Sequence, residues 1–166
     1  MSGKTLPDPG FAGDHGRPSE VLATALASYA DGSAAHVDVL AAIRGARLLV
    51  PVVAVLGDVE VDEHGLAHDK TSDMATVLLQ GADGRMALLA FTGTESLSTW
   101  DPAARPVPVT ARTAAQAAVQ DGAAAIVVDI AGPVRFVVEG EDLQGLARGW
   151  VLARVGERSA WVSPGE

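Results

Sequence analysis

The chain contains no cysteine, which removes disulfides, thiolate metal sites and thiol catalysis, and leaves the redox compartment undecided. Aromatic residues are scarce at 4% against 48% hydrophobic residues in all, so Val, Leu, Ile and much Ala must build the core. Basic residues are also thin: 12 Lys and Arg stand against 21 Asp and Glu, for a formal net charge of −9. A nucleic-acid binder needs a basic stripe that displaces counterions, and the absence of one argues against DNA or RNA partners. Long apolar runs are missing too. The longest, Leu48 to Leu56, is broken by Pro51 and is far shorter than the roughly 20 residues that cross a bilayer. The opening MSGKTLPDPGFAGDHGRP lacks the apolar core of a signal peptide. A soluble cytoplasmic protein without a membrane partner is the expectation. GxxxxGK[ST], a GxGxxG between strand and helix, and GxSxG are all absent, which disfavours nucleotide-binding and α/β-hydrolase chemistry.

The 166 residues suit one domain with a real core. Residues 1–18 read as an irregular Gly- and Pro-rich arm, residues 19–150 as an α/β domain, and residues 151–166 as a C-terminal tail. Ser19 is placed to cap SEVLATALASYA, with Val21, Leu22, Ala25, Leu26 and Tyr29 along one face. Ser33 is expected to start a second helix that ends at Gly45. RLLVPVVAVL reads as a buried strand, with Pro51 arguing for an edge or bulge. MATVLLQ and RMALLAFT flank Asp83-Gly84, a hairpin signal. ARPVPV suits a sheet edge, Thr110 or Thr113 caps an Ala-rich helix, and AAAIVVDI and PVRFVVE form a second hairpin. A last helix, EDLQGLAR, carries Glu141 and Asp142 at its start and Arg148 at its end, as the macrodipole favours. The predicted fold class is α+β (mixed α/β): a single mixed sheet of about five to six strands with two β-hairpins and flanking helices. One right-handed βαβ crossover is expected from strand 106–109 through a helix to strand 124–130.

Two stretches invite chemistry. In GDVEVDEHGLAHDKTSD, His64 and His68 stand four apart among Asp58, Glu60, Asp62, Glu63 and Asp69. Gly65 lies between the histidines and no HExxH is formed, so the metal reading is weak; alternation of Asp58, Glu60 and Asp62 with Val59 and Val61 favours a strand edge. No cofactor is expected. The second stretch is LLAFTGTESLSTWDP, an apolar run followed by Thr92, Thr94, Ser96, Ser98 and Thr99. No His or Lys motif accompanies these hydroxyls as a nucleophile would require. Thr92-Gly93-Thr94-Glu95 instead fits a capping box that opens a short helix, with Leu97 and Trp100 anchoring it and Asp101-Pro102 ending it.

The stretch LLAFTGTESLSTWDPAARPVPV, followed by AAQAAVQDGAAAIVVDIAGPVRFVV, resembles the SseB N-terminal domain family. The residues that carry the resemblance are Phe91, Thr92, Trp100, Arg105 to Val109, Gly122, Ala123, Asp129, and Ala131 to Phe136. LLVPVVAV, KTSDMA and DPGFAGDHG extend it over most of residues 8–147, in the style of bacterial members. Leu89 stands where the family pattern has Pro, and Gly93 where it has Ser. The resemblance implies no catalytic activity and no cofactor, because the family, named for an enhanced-serine-sensitivity phenotype, has none established. It also transfers no site residue.

The reading that follows is a non-enzymatic interaction or regulatory module, with a protein partner or a homo-oligomer, motivated in part by the tail tryptophans Trp150 and Trp161. The alternative is a small-ligand or anion-binding domain that uses the Thr92–Glu95 helix N-terminus, with Thr92, Thr94, Arg105 and Arg135 as candidate contacts. A metal-dependent hydrolase through His64 and His68 comes third.

Overall fold

The computed structural model describes residues 11, 13–56, 60–61, 67–68 and 72–165, with the side chains of residues 53–75 outside that description. Two helices come first, α1 (Glu20–Ala30) and α2 (His36–Arg44). Ser19 caps α1 as expected, its side chain accepting from the Leu22 amide, and Leu22 and Leu26 are buried, whereas Val21 is exposed. Helix α2 starts at an Ala35 cap and not at Ser33, whose hydroxyl is turned to the Ser28 carbonyl; Asp38 accepts from the Ala35 amide.

Ten residues then form β1 (Arg47–Leu56), the centre of a three-stranded sheet between β4 (Ser72–Thr76) and β7 (Arg105–Thr110), antiparallel to both. Pro51 therefore lies in an interior strand, contrary to the expected edge. The backbone explains why this is tolerated. Leu49 exchanges amide hydrogen bonds with Phe91 at 2.7 and 2.8 Å, on the side of β1 away from β7. Alternate amides point the same way, so the nitrogen of Pro51 falls between the Phe91 contact and the first β4 partner, Thr76, where no ladder bond is lost. Pro106 and Pro108 face Pro51 and Leu49, which turns their nitrogens to the open side of β7, an edge as predicted.

A second sheet has the order β5 (Leu78–Gln80), β6 (Met86–Ala90), β8 (Ala125–Val128), β9 (Phe136–Glu139). Both expected hairpins are present in it, β5–β6 around Gly84 with φ +83° and β8–β9. The single sheet is not: β-structure is divided, and the Leu49–Phe91 bridge is where β1 meets the end of β6. MATVLLQ, read as one strand, is split at Val77 between the two sheets. The crossover is corrected likewise. Strand β7 leads through α4 (Ala111–Gln120) into β8, but β7 pairs with β1, while the parallel neighbour of β8 is β6. Two small antiparallel pairs complete the β-structure, β2 (Glu60–Val61) with β3 (Ala67–His68), and β10 (Val151–Val155) with β11 (Arg158–Val162). Apart from these four residues and Ser72 and Asp73 of β4, the acidic stretch, His64 included, lies outside the described residues.

Strand period sorts the core into two faces. Leu48, Val50, Leu88 and Ala90 turn to a large cluster roofed by α1, α2, α4 and α5 (Glu141–Ala147). Leu49, Leu89 and Phe91 turn to the other face and meet Leu97 of α3 (Thr94–Trp100), with Trp100 packed alongside. Burial on both faces is why these strands read as continuous apolar runs. Helix α4, capped by Thr110 through the Thr113 amide, contributes only Ala111, Ala114, Ala115 and Ala118 to the core. Small side chains on that face let it approach α5 closely.

Candidate ligand-binding groove

Strands β6 and β8 run parallel, so their carboxyl ends lie side by side, and each delivers one polar residue there. Thr92 follows β6 and Asp129 follows β8; both are buried, Asp129 to 2% exposure. The Thr92 amide donates to Oδ1 of Asp129 at 2.9 Å and the Thr92 hydroxyl to Oδ2 at 2.7 Å. Asp129 adopts φ +51°, a left-handed conformation that Asp tolerates better than most residues, and its carbonyl accepts from Gly132 to begin the turn to β9.

The capping box expected for Thr92 is thus not formed. Gly93 is the N-cap of α3 without a side-chain cap, and the Thr92 hydroxyl is spent on Asp129. The carbonyl of Gly16 takes over the helix start, accepting from the Thr94 amide at 2.8 Å and its hydroxyl at 3.2 Å. A side chain at Gly93 would press on Gly16 and Pro18, 2.9 Å from an added Cβ, so glycine there lets the arm approach. Arg47 ties the same segment down: it donates to the Thr92 carbonyl, the Arg17 carbonyl and the Asp14 carboxylate. Partial burial alone would raise the Asp14 pKa, but the Gly16 amide and the Arg47 guanidinium outweigh it, and the carboxyl is held below its ordinary value.

Above Thr92 and Asp129 opens a groove of about 340 Å³ between α1, α3 and the turn after β8. Ala23, Leu26, Ala27, Pro133 and Val134 supply apolar walls; Thr92, Ser96, Thr99, Glu95 and Asp129 supply the polar side chains. Every hydroxyl proton is already committed. Thr92 donates to Asp129, Ser96 to the Gly93 carbonyl and Thr99 to the Glu95 carbonyl. Among the described residues no Lys, Arg or His lines the groove.

Of the four candidate contacts, only Thr92 belongs to this groove. Thr94 is turned to Gly16, Arg105 lies exposed at the start of β7, and Arg135 lies exposed in the turn before β9. Reasoning from sequence passed over Asp129 as a site residue, although an Asp closing the apolar run AAAIVV before a Gly-Pro turn was the available signal. Arg47, two residues after the stop of α2, left no pattern.

A wider, open cleft of about 870 Å³ lies between α2, α5 and the β10–β11 hairpin. Trp161 donates to Asp142 at 2.8 Å and lays its ring against Gly145, while Arg148 covers the ring of Trp150. Both tail tryptophans are half-buried. His36 stacks on Phe136 at 4.5 Å between ring centroids and approaches Asp142. Among the described residues no group of three or more His, Asp or Glu gathers as for a metal ion, and none of the helices is long and apolar enough to cross a membrane.

A family model described as SseB protein N-terminal domain matches residues 22–145, which include most of α1, all of α3, Thr92 and Asp129. Neither a curated protein nor a solved structure matches the chain.

Proposed function

The chain belongs to the SseB N-terminal domain family, and from that premise we propose that it is a non-catalytic regulatory domain whose groove binds a small ligand. The carrying observation is the pairing of apolar walls with the buried Thr92–Asp129 couple at the ends of two parallel strands. Concave, mostly apolar sites of a few hundred Å³ with a few fixed polar groups are where small molecules bind, and strand carboxyl ends are a recurrent place for them. A catalytic reading has less support. Asp129 touches the Thr92 hydroxyl, but among the described residues no groove side chain is a free donor to steady a developing oxyanion, and no His or Lys lines the groove to act as base. The test is a titration of isotope-labelled protein with a fragment library, followed by amide resonances. Shifts concentrated at Thr92, Ser96, Asp129 and Ala131 support the reading; hits that leave these four unmoved remove it.

A second reading, self-association, is favoured by the C-terminal hairpin. With Leu152 and Trp161 turned to the body, the cross-strand partners Val151 and Val162, Ala153 and Ala160, and Val155 and Arg158 share the opposite face. Val155 is 75% exposed and Val162 48%. The Val and Ala centre of this face, with Arg158 at the turn end, suits a two-fold sheet-on-sheet contact with a second copy. Light scattering on the chain and on Val155→Lys tests it: a dimer that the substitution dissociates supports it, and a monomer at all concentrations removes it.

A further inference from the structure

Resting on the small-ligand reading, we infer that the groove takes an organic cation, a primary ammonium carried on a short apolar stem. The sign of the site follows from a donor and acceptor count. Three hydroxyls line it, and each has given its proton inward, so each faces the groove with lone pairs alone. Two carboxylates accompany them. Asp129 is buried, and among the described residues its carboxylate is met by Thr92 and by no cation. Glu95 stands at the rim, exposed, without an ion pair among the described residues. A site whose side chains only accept hydrogen bonds is completed by a ligand that only donates, and an ammonium group has three donors and no acceptor.

The same count disfavours an anion. Among the described residues no cationic side chain lines the groove: Arg47 is only 11% exposed and is held by Asp14, Arg17 and Thr92, and Arg17, Arg105 and Arg135 are not among the lining residues. The first amide of α3 is occupied by the Gly16 carbonyl, and its first turn carries Glu95. The net charge of −9 adds long-range attraction for cations. A bare divalent metal fits less well than an organic cation. Calcium-like ions take 6–8 oxygen ligands, whereas Ala23, Leu26, Ala27, Pro133 and Val134 give this groove apolar walls that suit an alkyl stem.

The probe is n-butylammonium, titrated into isotope-labelled full chain beside butanol and butyrate, with amide resonances and thermal unfolding as readouts. Butylammonium is expected to shift Thr92, Ser96 and Asp129 and to raise the melting temperature, with butyrate inert. Glu95→Gln, an exposed change that spares the fold, should weaken binding about two- to five-fold, the scale of one exposed charge pair. Ala27→Trp should fill the groove and abolish the shifts. If butanol or butyrate binds at these residues and butylammonium does not, the cation assignment falls while the groove stands. If none of the three moves them, the assignment falls, and the fragment titration decides the groove separately. Butylammonium shifts that persist unchanged in Ala27→Trp place the binding elsewhere and overturn the assignment.

Discussion

Thr92 gives both its backbone amide and its hydroxyl to the carboxylate of Asp129, at 2.9 and 2.7 Å, and so clamps the ends of β6 and β8 together across 37 positions of sequence. Thr92→Val keeps the shape and removes one donor, leaving a buried carboxylate oxygen unsatisfied. Urea unfolding should show a loss of about 1–3 kcal/mol. Asp129→Ala should cost at least as much, because it orphans both Thr92 donors. The double variant should cost less than the sum of the two, since the pair acts as one unit.

Asp14 and Arg47 fasten the arm to the body, and the pKa of Asp14 is lowered in the folded state. Its stabilisation is therefore present above the unfolded-state pKa and is lost as pH falls through the folded value. Asp14→Asn should be less stable than the parent chain near neutral pH. The two should converge on acidification below about pH 4, where the unfolded carboxyl protonates first. Equilibrium unfolding across that range checks the sign; a gap that widens in acid contradicts it.

Gly145 lies within α5, where replacing Gly by Ala ordinarily gains about 0.8–1.0 kcal/mol of helix stability. Here the added methyl would overlap the ring of Trp161. Gly145→Ala is expected to lose stability and to shift tryptophan emission to the red as the hairpin is displaced. A stabilised variant with unchanged emission would show that the hairpin does not dock on α5.

Gly93 departs from the family pattern, which has Ser there. Its φ of −157° suits any residue, so the reason for glycine is space and not strain. Gly93→Ser should push back Gly16 and Pro18, and hydrogen exchange at the Thr94 amide should accelerate while the core amides of β6 stay protected.

Much of the fold was legible because local chemistry dictates it. Ser19 and Thr110 cap their helices, Gly84 turns its hairpin, and Pro106 with Pro108 marks an edge, each through a rule that concerns neighbours a few residues away. The misreadings share a different cause. A proline in mid-strand signals an edge unless its nitrogen happens to face a gap, and whether Pro51 does depends on Phe91 and Thr76, distant in sequence. TGTE satisfies a capping box on paper, yet the helix takes Gly93 as its N-cap and the Thr92 side chain is turned to Asp129. Val77 carries no mark of the place where the chain leaves one sheet for the other.

By itself the sequence determined most helix and strand segments of residues 19–150, though not the β10–β11 hairpin in what read as a tail, together with the apolar runs that fill both faces of the sheets, the lack of cysteine chemistry and the family. Those properties follow from short-range sterics, solvation and composition, all of which act along the chain. Only the tertiary structure decided that β6 and β8 end together, that Thr92 faces a buried Asp129, and that the groove above them presents acceptors and, among the described residues, no basic side chain. These are properties of pairs far apart in sequence, and the direction in which a hydroxyl spends its proton is settled by whichever acceptor the fold brings within reach.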